Sequence, residues 1–85
     1  LWYVDQGRGI IIDHKFTQPE AGEGLDAFAQ RMAGLHGAQI EAYQSGMTAL
    51  MPDVLWSGFL YFPALDLMVR VGTGQIISQI ASVAA

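Results

Sequence analysis

Apolar positions change their rhythm three times along this chain. Two short β-prone runs, Leu1–Val4 and Ile10–Ile12, flank Asp-Gln-Gly-Arg-Gly, a pattern that predicts a short hairpin or an extended arm. Gln18 to Gly24 is a turn-rich linker, so residues 1–23 read as an arm and linker. From Gly24 to Met51 the spacing becomes helical: Leu25, Phe28, Met32 and Leu35 form an apolar stripe, and Tyr43, Met47, Leu50 and Met51 continue it. Glu20, Glu23 and Asp26 lie near its start, where the helix dipole favours negative charge. Pro52 ends this helix or lets a new one begin at its first turn. Residues 52–62 then read as an aromatic elbow holding Trp56, Phe59, Tyr61 and Phe62, and Pro63 is placed to open a last, apolar helix over residues 63–85. At about 1.5 Å per residue that helix would reach roughly 34 Å, close to the thickness of a bilayer core.

The pattern predicts a mainly α fold, a helical hairpin or bent helices with a short N-terminal arm or β-hairpin, stable only in an assembly. Residues 24–85 are the expected packing region. Small residues recur at every fourth position in two places: Ala29, Ala33 and Gly37 on the first helix, and Gly74, Ser78 and Ser82 on the last. Such ridges let another helix approach closely, and glycines inside a helix are costly without a packing reason. Trp56 in the elbow fits either an interfacial aromatic belt or a packed corner.

Composition reinforces the expectation of a partner. An 85-residue chain buries a modest share of its surface and is marginal alone. It has no Cys, which excludes disulfides and thiolate metal sites and leaves oligomerisation or membrane insertion as the means of support. Charged residues make up only 14%, against about 25% in ordinary soluble domains. Net charge is −4, and the four basic residues, Arg8, Lys15, Arg31 and Arg70, form no cluster that would bind nucleic acid. The chain lacks an initiator Met and ends Ser-Val-Ala-Ala, so both ends read as cut.

Chemistry is sparse. His14 and His36 are the only histidines, and neither belongs to a metal-binding spacing. No serine has a nucleophile-elbow context, and Gly72-Thr-Gly74 lacks the lysine and length of a phosphate loop. No enzyme activity, cofactor or metal is expected. Asp66 and Arg70 stand four residues apart in an otherwise apolar segment. On a helix they would form either a register-fixing ion pair between packed subunits or two charges at the watery start of the helix.

The run Ala49-Leu-Met-Pro-Asp-Val-Leu-Trp-Ser-Gly-Phe-Leu-Tyr-Phe-Pro-Ala-Leu-Asp-Leu-Met resembles the C-terminal half of the small minor coat proteins of filamentous bacteriophages. Leu50, Pro52, Asp53, Val54 and Leu55 carry the first part of the likeness. Leu65, Asp66 and the Ile76–Ala81 run carry the second. The resemblance covers about half of the chain, and the polar, Gly-rich first 24 residues depart from the family's apolar beginning. It implies a structural role: several copies capping one end of a virion with the adsorption protein, holding the terminal major coat helices, and waiting in the host inner membrane before assembly.

The expected function is therefore a structural subunit of a helical assembly, in contact with copies of itself. A small accessory subunit of a membrane complex is the alternative. So is a soluble fragment whose apolar tail docks into a partner.

Overall fold

The computed structural model describes residues 1–77, which form five strands and one helix: β1 (Trp2–Asp5), β2 (Arg8–His14), α1 (Leu25–Leu50), β3 (Leu55–Phe62), β4 (Leu67–Arg70) and β5 (Ile76–Ile77). The strands make one sheet in the order β1-β2-β3-β4-β5. The fold is mixed α/β, which corrects the expectation of a mainly α chain.

Local chemistry explains each turn of the path. β1 and β2 are joined by Gln6-Gly7, both with positive φ (50° and 78°), and Asp5 pairs with Arg8 across the turn. A two-residue loop of that kind matches the right-handed twist of the flanking strands. β2 and β3 run parallel, from Arg8↔Leu55 to His14↔Tyr61. Parallel neighbours need a long crossover, and the linker with α1 supplies it. The helix begins after Gly24, whose carbonyl accepts from Phe28 N–H at 3.0 Å, and closes with Met51 N–H donating to Met47 at 2.8 Å. Pro52 follows that closure.

The elbow and the apolar helix expected over 52–62 and 63–85 are replaced by β3, β4 and β5 over the described residues. Pro63 does open a helical turn, but only the single 3₁₀ turn Pro63–Leu65. Asp66 then enters the left-handed region (φ 49°), its N–H donating to Pro63 O at 3.2 Å, and β4 returns antiparallel from Phe62↔Leu67 to Phe59↔Arg70. Phe, Trp, Tyr, Leu and Val suit a pleated, half-buried surface, and here that preference prevails over the helical reading of Pro63. Among the described residues no helix is long and apolar enough to cross a membrane.

Alternation along the strands assigns the two faces. Ile11, Leu60, Phe62, Leu67 and Val69 point toward α1 and join Phe28, Ala29, Met32 and Ile40 in one core cluster. Phe28 and Phe62 meet edge to face with ring centroids 4.9 Å apart. The helix buries Phe28, Ala29, Met32, Gly37 and Ile40, while Leu25 (49% exposed) and Leu35 (65%) lie outside that face. The true stripe is thus rotated from the one read through Leu25 and Leu35.

Candidate interaction surface

The ridge Ala29–Ala33–Gly37 serves close packing inside the chain. Ala29 is fully buried, Ala33 packs against the core, and a Cβ on Gly37 would lie 3.4 Å from Val71 Cγ1. Its partner is the chain's own sheet, whereas the expected partner was another helix. Gly74 adopts φ +71° between β4 and β5, against the Gln30 side chain, whose Nε2 donates to Thr73 O at 3.2 Å. Ser78 and Ser82 lie outside the described residues.

Asp66 and Arg70 do not share a helix. Asp66 sits in the β3–β4 loop, where its Oδ1 accepts from the Tyr61 hydroxyl at 3.4 Å. Arg70 ends β4, its guanidinium 4.9 Å above the Phe59 ring. A loop and the far end of a strand replace the helical spacing, so no ion pair joins the two.

The second face of the sheet is the larger finding. Register and alternation place Ile10, Ile12, Phe59, Tyr61, Met68 and Ile77 together on the side away from α1. Ile12, Phe59 and Arg70 stand in one cross-strand row, and His14, Tyr61, Met68 and Ile77 in the next. Phe59 and Met68 are each 8% exposed, yet neither belongs to the core cluster beneath the helix. Among the described residues no second layer of secondary structure covers this face. Arg8 and Arg70, the two basic side chains without an ion pair among the described residues, both lie on it, by the same alternation.

A second apolar region lies at the β1 edge. Leu1, Trp2, Tyr3 and Val4 are all exposed, as are Tyr43 and Leu50 on α1 and Leu55 at the start of β3. Trp2 meets Trp56 edge to face at 6.0 Å. Trp56 lies flat over Gly9, where a Cβ would come within 2.5 Å of its ring. The buried Trp56 Nε1 has no hydrogen-bond partner among the described residues. Beside this edge a hollow of about 220 Å³ opens between β2 and α1, lined by Ile11, Gln39, Ile40 and Tyr43 among others.

Charge is concentrated elsewhere. Arg31 forms a two-pronged contact with Glu23, Nε to Oε2 and an Nη to Oε1, both at 2.8 Å. Glu20 N–H donates to the same carboxylate at 3.0 Å. The Arg31 hydrogen bonds, then the Glu20 amide, hold the Glu23 carboxyl down to about 2, and Glu23 in turn raises the Arg31 guanidinium. This clamp ties the linker to the first turns of α1. Among the described residues no group of three His, Asp or Glu side chains is gathered as a metal site. His14 packs edge to face on Tyr61 at 5.4 Å.

Sequence reasoning named Trp56 and Arg70 but missed Trp2, Ile10, Ile12, Phe59 and Met68. The available signal was the unbroken triplet Ile10-Ile11-Ile12, which puts apolar side chains on both faces of a strand. Comparison with protein families, characterised proteins and solved structures finds no match for this chain.

Proposed function

We propose that this chain is a structural subunit that works in an assembly of its own copies, burying the sheet face that α1 leaves open. The supporting observation is the contiguous apolar set Ile10, Ile12, Phe59, Tyr61, Met68 and Ile77, with no layer over it among the described residues. Sheets bury apolar faces against a second layer, and two sheets pack face to face about 10 Å apart. Strands of four, seven, eight, four and two residues, at about 3.3 Å per residue and about 4.8 Å apart, present on the order of 400 Å². Two copies would bury on the order of 800 Å² through the strands alone. Flanking side chains such as the exposed Leu55 on the same face have to bring the contact to the roughly 1,000 Å² of a specific interface. Arg8, at the start of β2, belongs at the rim, whereas the Arg70 guanidinium lies over Phe59 and has to swing off the ring for a second sheet to seat there.

The packing unit in this reading is a β-sheet, where the sequence pattern pointed to helix ridges. A virion end cap is the setting that the coat-protein resemblance names. Recovery of the chain from purified particles, in fixed few-copy ratio to a major coat protein, tests that setting.

Sedimentation of the purified chain tests the assembly. The wild type should associate with rising concentration, and Ile12→Glu should weaken that association by at least about 100-fold, because a desolvated carboxylate would face the partner sheet. Undiminished association of a folded Ile12→Glu chain removes the face as the contact.

A further inference from the structure

The β1 edge is a second surface, separate from the open sheet face. Leu1 and Ile12 exchange both backbone bonds, Ile12 N–H to Leu1 O at 2.8 Å and Leu1 N to Ile12 O at 3.3 Å. Antiparallel alternation then turns the backbone groups of Tyr3 and Asp5 toward β2 as well. The N–H and C=O groups of Trp2 and Val4 point outward, and β1 is the outermost strand among the described residues. Natural edges are guarded by proline, lysine, bulges or a covering loop. The stretch Leu1-Trp-Tyr-Val-Asp5 has no proline or lysine, pairs with β2 without a bulge, and leaves Trp2 51% and Tyr3 53% exposed.

We infer that β1 pairs antiparallel with β1 of a second copy, about a two-fold axis at Tyr3, joining two sheets into one of ten strands. This rests on the reading of the chain as a self-assembling subunit.

The register follows from the outward groups. With Tyr3 opposite its own copy, Trp2 of each chain stands opposite Val4 of the other. Both are outward-facing residues, so each such pair exchanges two N–H···O bonds, and the two-fold makes four. Tyr3 stacks on its copy on the open face. Trp2 and the other copy's Val4 lie side by side on the helix face, next to Trp56. Charge agrees with the same register. Asp5, the one charged residue in β1, meets Leu1 and stays away from its own copy, so no like charges are opposed.

The area agrees too. Half of Trp2 and half of Tyr3 come to about 100 Å² each. With Leu1, Val4 and Tyr43 the edge offers on the order of 500 Å² per copy, about 1,000 Å² for the pair, the lower bound for a specific interface. Because this isologous contact and the sheet-face contact use different surfaces, together they would extend the assembly beyond a dimer.

The test is analytical ultracentrifugation of the 85-residue chain over a wide concentration range, with Val4→Pro, Trp2→Lys and Ile12→Glu alongside. Val4 N–H points away from β2 by the same alternation, so proline there spares the hairpin and blocks the outward edge. Trp2→Lys puts a charge on the same edge through a half-exposed side chain and serves if Val4→Pro fails to fold. The edge contact predicts that both variants raise the dimer dissociation constant at least about 10-fold, Val4→Pro by deleting two of the four N–H donors across the two-fold and Trp2→Lys by replacing buried indole surface with a charge at the seam. It also predicts that the Trp2 and Val4 amides gain hydrogen-exchange protection as wild-type concentration rises. Association at wild-type strength in both folded edge variants overturns the edge and leaves the assembly reading standing. Loss of association in Ile12→Glu alone does the same and assigns the contact to the sheet face. A wild-type chain that stays monomeric throughout overturns both.

Discussion

The two faces of one sheet are built from the same strands and meet different fates. On the helix side Leu60, Phe62 and Val69 are at most 1% exposed, because Phe28, Met32 and Ile40 interdigitate with them. On the far side Phe59 and Met68 reach 8% with neighbouring rows and the Arg70 stem around them. Similar burial thus has two causes. A packed layer fixes shape, and removing a side chain there leaves a cavity. On the far side the Arg70 guanidinium lies over Phe59, and no second layer of secondary structure among the described residues packs on the row. Both kinds of burial stabilise one chain, and only the far side has a surface left to add to when a partner arrives.

The largest expected effect separates the faces directly. Phe62→Ala should cost about 3–5 kcal/mol, a large fraction of the roughly 5–15 kcal/mol that holds a domain together. Phe59 is already only 8% exposed within one chain, so Phe59→Ala should also cost stability at low protein concentration. Its cost should grow with concentration where that of Phe62→Ala does not, because Phe59 also faces the proposed partner sheet. Urea denaturation followed by tryptophan fluorescence at two concentrations measures both. Equal, concentration-independent losses would erase the distinction between the faces.

A smaller effect comes from adjacent positions on β3. A side chain on Gly58 would collide with Ile40 Cγ2, a core atom, and with Gln44 Oε1 at 2.9 Å. Gln44 is itself held, its Nε2 donating to Trp56 O at 3.3 Å. Gly58→Val should therefore lower stability by about 1–3 kcal/mol through overpacking. Ser57→Val, one residue earlier on the open face, should stay within about 0.5 kcal/mol, since valine suits a strand and no second layer of secondary structure among the described residues covers that face. Thermal melts of the two variants compare the faces at one-residue resolution. A Gly58→Val chain as stable as Ser57→Val would mean that α1 does not press on β3 there.

How much of this was readable in the sequence follows from the same asymmetry. The helix was visible because Phe28 and Met32 recur at helical spacing, and the hairpin because Leu1–Val4 and Ile10–Ile12 flank a glycine-rich turn. β3 was not visible, because Gly58-Phe59-Leu60 is buried on both faces and such a run shows no alternation. Pro63 was a true helix-start signal that acts for three residues only. Asp66 and Arg70 matched a helical spacing by coincidence, one in a left-handed loop position and the other at a strand end. The small ridge was legible as packing but not in its target, because small residues accommodate a sheet as well as a helix. The open face needed the strand register before its six apolar residues could be seen as neighbours.

The smallest effect concerns the fastening of the covering layer itself. Arg31 and the Glu20 amide hold Glu23 at about 2, below its ordinary 4.5. A carboxylate depressed in the folded state favours folding above its unfolded value, and that contribution is lost as pH falls from about 4.5 toward about 2. Glu23→Gln should therefore melt lower than the wild type at neutral pH and converge with it at the acid end of that window. The clamp is at the surface, so salt should shrink the difference. The loss belongs to the start of α1, so amides of Phe28 and Met32 should lose hydrogen-exchange protection in acid before those of Phe59 and Met68. Simultaneous loss on both faces would mean that helix and sheet open as one unit, and that the covered face owes nothing separate to its clamp.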